Sequence, residues 1–136
     1  MMRVLVTGAA RGLGYEIVKE ALGRGHTIAA VVRAESDTAA LEKLAAKPPD
    51  RLRIFRVDVT DETAVNAAIA TLQTKWGALD GLINNAAILI GRFEDLDALD
   101  LADVRQSLEV NLLGTMRMVQ SSLPMLYKGE KAVVIN

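Results

Sequence analysis

One short stretch near the amino terminus constrains the fold most. The apolar run Arg3-Val4-Leu5-Val6 leads directly into Thr7-Gly8-Ala9-Ala10-Arg11-Gly12-Leu13-Gly14. Glycine admits positive φ and lets a backbone approach a pyrophosphate closely, and the first amides of a helix point at an anion. The spacing G-x-x-x-G-x-G departs from the G-x-G-x-x-G dinucleotide fingerprint. The stretch predicts a nucleotide-phosphate site, with an ordinary glycine-rich strand-to-helix turn as the alternative.

The residues after this turn extend it into a β-α-β unit. One helical stripe is formed by Leu13, Ile17, Val18, Ala21 and Leu22, and Gly23-Arg24-Gly25 is a glycine signal for the helix end. Residues 26–32 then form a nearly continuous apolar, β-branched run. Such a run is typical of a parallel strand that is covered on both faces.

Strands and helices continue to alternate along the chain. A parallel sheet with helices on both faces and right-handed crossovers is therefore expected, in a single domain over residues 1–136. The predicted elements are a helix over 38–46 ended by Lys47-Pro48-Pro49-Asp50, a strand over 52–57, a helix capped by Thr60 or Asp61 and closed by Gly77, a strand over 79–83, a long helix over 100–126 and a strand over 132–135.

Composition excludes several classes of function. The chain has 16 basic and 17 acidic residues and no basic block, so a nucleic-acid partner is not expected. With no cysteine and one histidine, we expect no disulfide, no thiolate metal site and no imidazole cluster. The start of the chain lacks a secretion signal pattern, and no run approaches about 18 apolar residues. A cytoplasmic protein without membrane contact is predicted.

Polar residues follow the first four predicted strands. Gly8, Arg33, Asp58 and the pair Asn84-Asn85 stand at these four positions. The carboxyl ends of parallel strands share one edge of the sheet, where ligands bind. Taken singly, Arg33 reads equally well as a solvated loop charge and the others as turn formers. Their coincidence favours a site.

These motifs, in this order, resemble the first half of a short-chain dehydrogenase/reductase. The resemblance rests on the glycine turn, Asp58-Val59-Thr60-Asp61, Asn84-Asn85-Ala86-Ala87 and Val110-Asn111, and it spans essentially all 136 residues. It implies an α/β fold, a three-layer, doubly wound, Rossmann-like parallel sheet with five strands in the order 3-2-1-4-5.

The resemblance also implies roles for individual residues. The cofactor pyrophosphate would lie on Gly8, Gly12, Leu13 and Gly14. Asp58 would bind the adenine amino group with Val59 beside the ring, and Asn85, Ala86 and Ala87 would line the ribose next to the nicotinamide. Ala87 stands where the family usually has glycine, and its methyl group would crowd the cofactor slightly. Asn111 matches the helix asparagine of the catalytic tetrad.

The other tetrad members, a serine after strand five and a later Tyr-x-x-x-Lys, would follow Asn136, so we expect them to be missing from these residues. Tyr127-Lys128-Gly129-Glu130-Lys131 fits the motif by letter. Gly129 interrupts it and it precedes strand five, whereas the family motif follows that strand. We interpret it as a chance match, with Tyr127 at a helix end and Lys131 at a solvated strand start.

Charge at the end of the second strand bears on the cofactor. An acidic residue there favours a ribose 2′-hydroxyl, whereas arginine favours a 2′-phosphate. Arg33 occupies this position, and Arg11 in the glycine turn lies within reach of the same region. The pattern predicts NADP(H), with NAD(H) as second choice, and Glu35 would weaken the preference if it folded back.

Three hypotheses about function follow. The first is an NADP(H)-binding module that does not itself reduce carbonyls. The second is an active reductase completed by a partner chain or by Tyr127 and Lys131. The third is an engineered or relic half-domain with a folding or assembly role. Because residues 132–135 would form an apolar sheet edge and helix 100–126 is apolar on more than one face, a homodimer or larger assembly is also predicted.

Overall fold

The computed structural model describes residues 1–46 and 50–136, and strands alternate with helices along the chain. The strands are β1 Arg3–Thr7, β2 Thr27–Val32, β3 Leu52–Arg56, β4 Gly81–Ile83 and β5 Val133–Ile135. The helices are α1 Gly12–Gly23, α2 Ala39–Ala45, α3 Glu62–Trp76, α4 Leu101–Leu108 and α5 Thr115–Leu126, with a π-helical segment Glu109–Gly114 between the last two.

The five strands form one parallel sheet in the order β3-β2-β1-β4-β5. Val4 of β1 lies opposite Ile28 on one side and Gly81 on the other, and Gly81 in turn lies opposite Val133. The predicted α/β class, parallel pairing and strand order 3-2-1-4-5 are confirmed. All the strand ends expected to carry polar residues consequently face the same edge of the sheet.

Alternate residues of β1 divide the core between the two faces of the sheet. Val4 and Val6 pack with Val18 and Leu22 of α1 and with Leu41 of α2. Leu5 packs on the other face with the apolar residues of α3 and α5, namely Val65, Ile69, Leu72, Met118, Met125 and Leu126. The period of two in a strand therefore produces the three layers.

The start of α3 resolves an alternative left open by the sequence. Asp61, not Thr60, is the N-cap, and its Oδ1 accepts a hydrogen bond from the amide of Ala64 at 2.9 Å. The carboxylate satisfies an amide that has no partner within the helix and complements the positive end of the helix dipole.

The long helix differs from its prediction in one respect. At constant α-helical period, one apolar stripe of the helix would be formed by Leu101, Val104, Leu108, Leu112, Thr115 and Val119, but Leu101, Leu108 and Leu112 are each more than half exposed. From the last residue of the π-helical segment onward, the buried residues are Gly114, Met118, Ser122, Met125 and Leu126. A π-helical turn holds more residues than an α-helical turn and shifts the phase of everything that follows it. A stripe drawn at constant α-helical period therefore fails.

Several element bounds also differ from the prediction. β4 begins at Gly81 rather than Leu79, and β5 begins at Val133, so that Lys131 lies in the preceding turn with φ of 56°. The expected stop of the second helix at Lys47-Pro48-Pro49 lies outside the described residues. Within the described ranges, no helix is long and apolar enough to cross a membrane.

Candidate functional site

A cavity of about 570 Å³ opens at the carboxyl edge of the sheet. It brings together loops that follow β1, β2, β3 and β4 with one face of the segment that precedes Asn111. Its lining residues are Gly8, Ala10, Arg11, Gly12, Val31, Val32, Arg33, Ser36, Val57, Asp58, Val59, Thr60, Asn85, Ala86, Ala87, Ile88, Gln106, Glu109 and Val110.

The glycine turn forms the floor of this cavity. Gly8 has φ of 65°, and a Cβ there would lie 2.9 Å from the Cα of Ala86. A Cβ on Gly14 would collide with the carbonyl oxygen of Gly8, whereas one on Gly12 would meet no atom within 4 Å. Gly8 and Gly14 are therefore required by close packing, while Gly12 leaves open space at the start of α1.

The amino terminus of α1 is uncapped at the cavity wall. Arg11 is its N-cap residue and makes no side-chain capping bond, and the first turn contains no acidic residue. By contrast, α3 and α4 are capped by Asp61 and Asp100. The first amides of α1 thus remain free to bind an anion, which the helix dipole favours.

Three hydrogen bonds join the glycine turn to the residues after β4. The side-chain amide of Asn85 donates to the carbonyl oxygens of Thr7 and Gly8, both at 3.1 Å. The Oγ1 of Thr7, a buried residue, accepts from the amide of Ala86 at 3.0 Å. Asn85 therefore holds the two loops together, a positioning role that the sequence motif alone did not reveal.

Asp58 remains charged to lower pH than an ordinary aspartate. The amide and hydroxyl of Thr60 donate to its Oδ1 at 2.9 and 2.7 Å. The hydrogen bond from the backbone amide of Thr60 is the main cause of the lowered pKa of Asp58. Burial raises this pKa, and the Arg33 guanidinium lowers it weakly. A charged acceptor therefore stands beside Val59, which is buried.

A smaller cavity of about 400 Å³ adjoins the first and contains both predicted arginines. It is lined by Ala10, Arg11, Arg33, Glu35, Ser36, Asp37 and Ala40. The Nε of Arg33 lies 3.1 Å from the Oε1 of Glu35, so Glu35 does fold back. Arg11 and Arg33 thus line the same cavity, and Glu35 adds a carboxylate beside Arg33.

Asn111 lies in the π-helical segment and does not line the cavity. Its Oδ1 accepts from the amide of Ile88 at 2.9 Å, and its Nδ2 donates to the carbonyl of Ile88 at 2.8 Å. Ile88 is itself on the cavity wall. Two further predicted residues, Leu13 and Gly14, are also not on the wall, and Leu13 is 71% exposed.

Sequence reasoning missed the wall formed by the segment before Asn111. Gln106, Glu109 and Val110 face the cavity together because they are three and four residues apart on one helical face. Glu109 is held by Arg117, whose Nη2 donates to its Oε1 at 2.6 Å. This helical spacing could have identified the wall from the sequence, since the motif Val110-Asn111 had already assigned the segment to the site.

Tyr127 and Lys131 lie on the opposite edge of the sheet from the cavity. Tyr127 follows the last residue of α5 and Lys131 lies in the turn before β5. The residues around them make backbone hydrogen bonds with the segment that precedes β4. The amide of Leu79 donates to the carbonyl of Met125, and the amide of Val133 donates to the carbonyl of Asp80. The cavity residues instead follow β4. Neither side chain is on the cavity wall.

Comparison with known proteins agrees with this geometry. The family model for the short-chain dehydrogenases matches residues 2–136. This chain belongs to the short-chain dehydrogenase family. It is similar to the NADP-dependent 3-hydroxy acid dehydrogenase YdfG of Escherichia coli, with 30% identity over 135 residues that cover 99% of the chain and 53% of that protein.

Solved short-chain dehydrogenase structures have the same architecture. An NADPH-bound carbonyl reductase from chicken fatty liver has a TM-score of 0.85 and 33% identity, covering 94% of this chain and 52% of its own. The closed form of a serine dehydrogenase complexed with NADP⁺ has a TM-score of 0.86 and 30% identity, covering 99% and 53%. The chain therefore spans about half the length of these relatives, and the predicted family resemblance is confirmed.

Proposed function

We propose that this chain binds NADP(H) in the cavity at the carboxyl edge of the sheet. The observation that carries the proposal is the convergence on one cavity of the uncapped start of α1, the charged acceptor Asp58 and the arginine pair. Each of these elements suits a different part of a dinucleotide, and ligands of open α/β sheets bind at this edge.

The residues present fit the parts of the cofactor. Free amides at Gly12 and the open space above it suit a pyrophosphate. Asp58 is the acceptor for the adenine amino group, with Val59 against the ring. Asn85, Ala86 and Ala87 line the same cavity and would contact the nicotinamide ribose.

The phosphorylated cofactor is favoured by Arg11 and Arg33. Two guanidinium groups at one small cavity can bind a 2′-phosphate through charge-assisted hydrogen bonds. Similar proteins support the same choice, since one is an NADP-dependent enzyme and two others have structures bound to NADPH or NADP⁺.

Isothermal titration with NADP⁺ and NAD⁺ tests the proposal. We expect NADP⁺ to bind more tightly by about 1.5–3 kcal/mol, the strength typical of hydrogen bonds to charged groups, and we expect added salt to reduce the difference. Equal affinities at low salt, or an unchanged ratio in Arg33→Ala, would refute the assignment of NADP(H).

We further propose that these 136 residues alone do not reduce a carbonyl. A bound nicotinamide would supply a hydride, but the reaction also needs a group that gives a proton to the substrate oxygen. Among the described residues that line the cavity there is no tyrosine or lysine. Reductase activity of the purified chain that disappears in Tyr127→Phe would contradict this proposal.

The same reductase assay tests the alternative, an active oxidoreductase that is completed by a second chain. Activity that appears only on addition of a chain carrying the serine and Tyr-x-x-x-Lys would support it. A folding or assembly role without nucleotide binding would be supported instead if the titration gave no binding at all.

We also propose that the chain associates with itself. Val133, Val134 and Ile135 of the edge strand β5 are 40–53% exposed. An apolar edge strand without proline or inward charge is a template for pairing. Sedimentation velocity over a concentration series tests this, with a dimer or larger species expected and a shift to monomer in Val134→Lys. A monomer at every concentration would exclude it.

A further inference from the structure

The loop between β2 and α2 places the carboxylate of Glu35 next to Arg33. The amide of Ser36 donates to the carbonyl of Arg33 at 3.1 Å, which closes a reverse turn over residues 33–36. Glu35 lies inside this turn and its Oε1 reaches the Nε of Arg33 at 3.1 Å. The pairing follows from the backbone, because the turn reverses the chain two residues after the arginine.

Arg56, near the sheet edge, braces this turn from β3. Its Nη1 donates to the carbonyls of Ala34 and Ser36 at 2.7 and 3.1 Å, and its Nη2 donates to the hydroxyl of Thr38 at 2.8 Å. A planar guanidinium that makes three bonds to one loop restricts its conformations. The position of Glu35 relative to Arg33 is therefore held by a third element.

The neighbouring carboxylate, Asp37, is used differently. It lines the same small cavity as Glu35, but its Oδ1 accepts from the amide of Ala39 at the start of α2, at 2.9 Å. The two carboxylates thus share a location and a charge and differ in partner. Glu35 engages an arginine, whereas Asp37 engages a helix terminus.

We propose that Glu35 is an internal counterion of Arg33 that competes with the 2′-phosphate of the cofactor and so lowers the preference for NADP(H) over NAD(H). The inference rests on the proposed function. A 2′-phosphate that binds Arg33 has to displace Glu35 or share the guanidinium with it. NAD(H) carries no 2′-phosphate and meets no such competition. Glu35 is therefore a specificity-determining residue, and Arg56 is the positioning residue that maintains the turn.

The expected effect is modest because both partners are mostly exposed, Arg33 at 58% and Glu35 at 66%. Exposed ion pairs are weak, and their strength corresponds to a change of about two- to fivefold in affinity. We expect Glu35→Gln to bind NADP⁺ about two- to fivefold more tightly than the wild type, with unchanged affinity for NAD⁺.

The experiment measures dissociation constants for NADP⁺ and NAD⁺ by isothermal titration in the wild type and four variants, the first of which is Glu35→Gln. Asp37→Asn is the matched control, since it removes the same charge from the same cavity without freeing an arginine. Arg33→Gln, alone and combined with Glu35→Gln, forms a double-mutant cycle. Circular dichroism on each variant confirms that the fold is retained.

The proposal predicts a gain in Glu35→Gln, little gain in Asp37→Asn, and no gain from Glu35→Gln once Arg33 is replaced. An equal gain in Asp37→Asn, or a gain that persists without Arg33, would overturn it in favour of general charge repulsion. An unchanged ratio in Glu35→Gln with normal NADP⁺ binding would overturn only this inference. A wild type that binds neither nucleotide would overturn the proposed function together with it.

Discussion

The bond between Thr7 and Ala86 offers a direct test of how the site is assembled. Thr7→Val replaces the hydroxyl by a methyl group of similar size, so no cavity forms, but the amide of Ala86 loses its acceptor at 3.0 Å. An unsatisfied, partly buried amide costs about 1–3 kcal/mol. We expect Thr7→Val to lower the free energy of unfolding by about this amount and to weaken NADP⁺ binding, because the two loops of the cavity separate.

Thermal unfolding followed by circular dichroism measures the effect. With about 2.1 cal/mol/K of unfolding entropy per residue, a chain of 136 residues should melt about 3–10 °C lower. The control is Thr74→Val, the same substitution on the exposed side of α3, where the hydroxyl donates to the carbonyl of Ala70. A melting temperature in Thr7→Val that equals that of the control would refute the reasoning.

Three further variants test other parts of the site, and the first of them has a control in the same helix. Gly14→Ala should unfold the turn, because the added Cβ would collide with the backbone. The control is Gly23→Ala in the same helix, where the added Cβ meets nothing within 4 Å and the protein should be as stable as the wild type or more stable by up to about 1 kcal/mol. Denaturant titration measures both effects. Asp58→Asn should be less stable than the wild type at neutral pH. Because the pKa of Asp58 is lowered in the folded state, the carboxylate stabilises the fold fully above about pH 4. The difference in unfolding free energy between wild type and variant should therefore vanish as the pH falls through the folded-state pKa. Asn111→Ala should speed hydrogen exchange at the amide of Ile88, which loses its acceptor; an unchanged rate would show that the side chain does not hold this loop.

Local patterns predicted most of the fold. The glycine turn between an apolar run and an amphipathic stripe gave β1, α1 and their connection because turn chemistry and periodicity are properties of neighbouring residues. The strand-end residues predicted one site because parallel strands align their carboxyl ends. Arg33, Asp58 and Asn85 accordingly lie on one cavity.

The errors arose where distant contacts decide the structure. The π-helical segment Glu109–Gly114 lies where Asn111 bonds Ile88 and where a Cβ on Gly114 would come within 2.6 Å of Val59. Neither contact is visible in the helical period of the sequence. The structural role of Asn85 was hidden for the same reason, since its partners are more than 70 residues away.

The central claim is that the carboxyl edge of the sheet binds NADP(H). Amide chemical shifts of the ¹⁵N-labelled chain, recorded as NADPH is added, test this directly because they report binding and its location together. We predict saturable shifts at Gly8, Gly12, Arg33, Asp58 and Ala86, with none at Tyr127 or Lys131 on the opposite edge. No shifts at millimolar nucleotide, or shifts confined to the edge that carries Tyr127 and Lys131, would contradict the account.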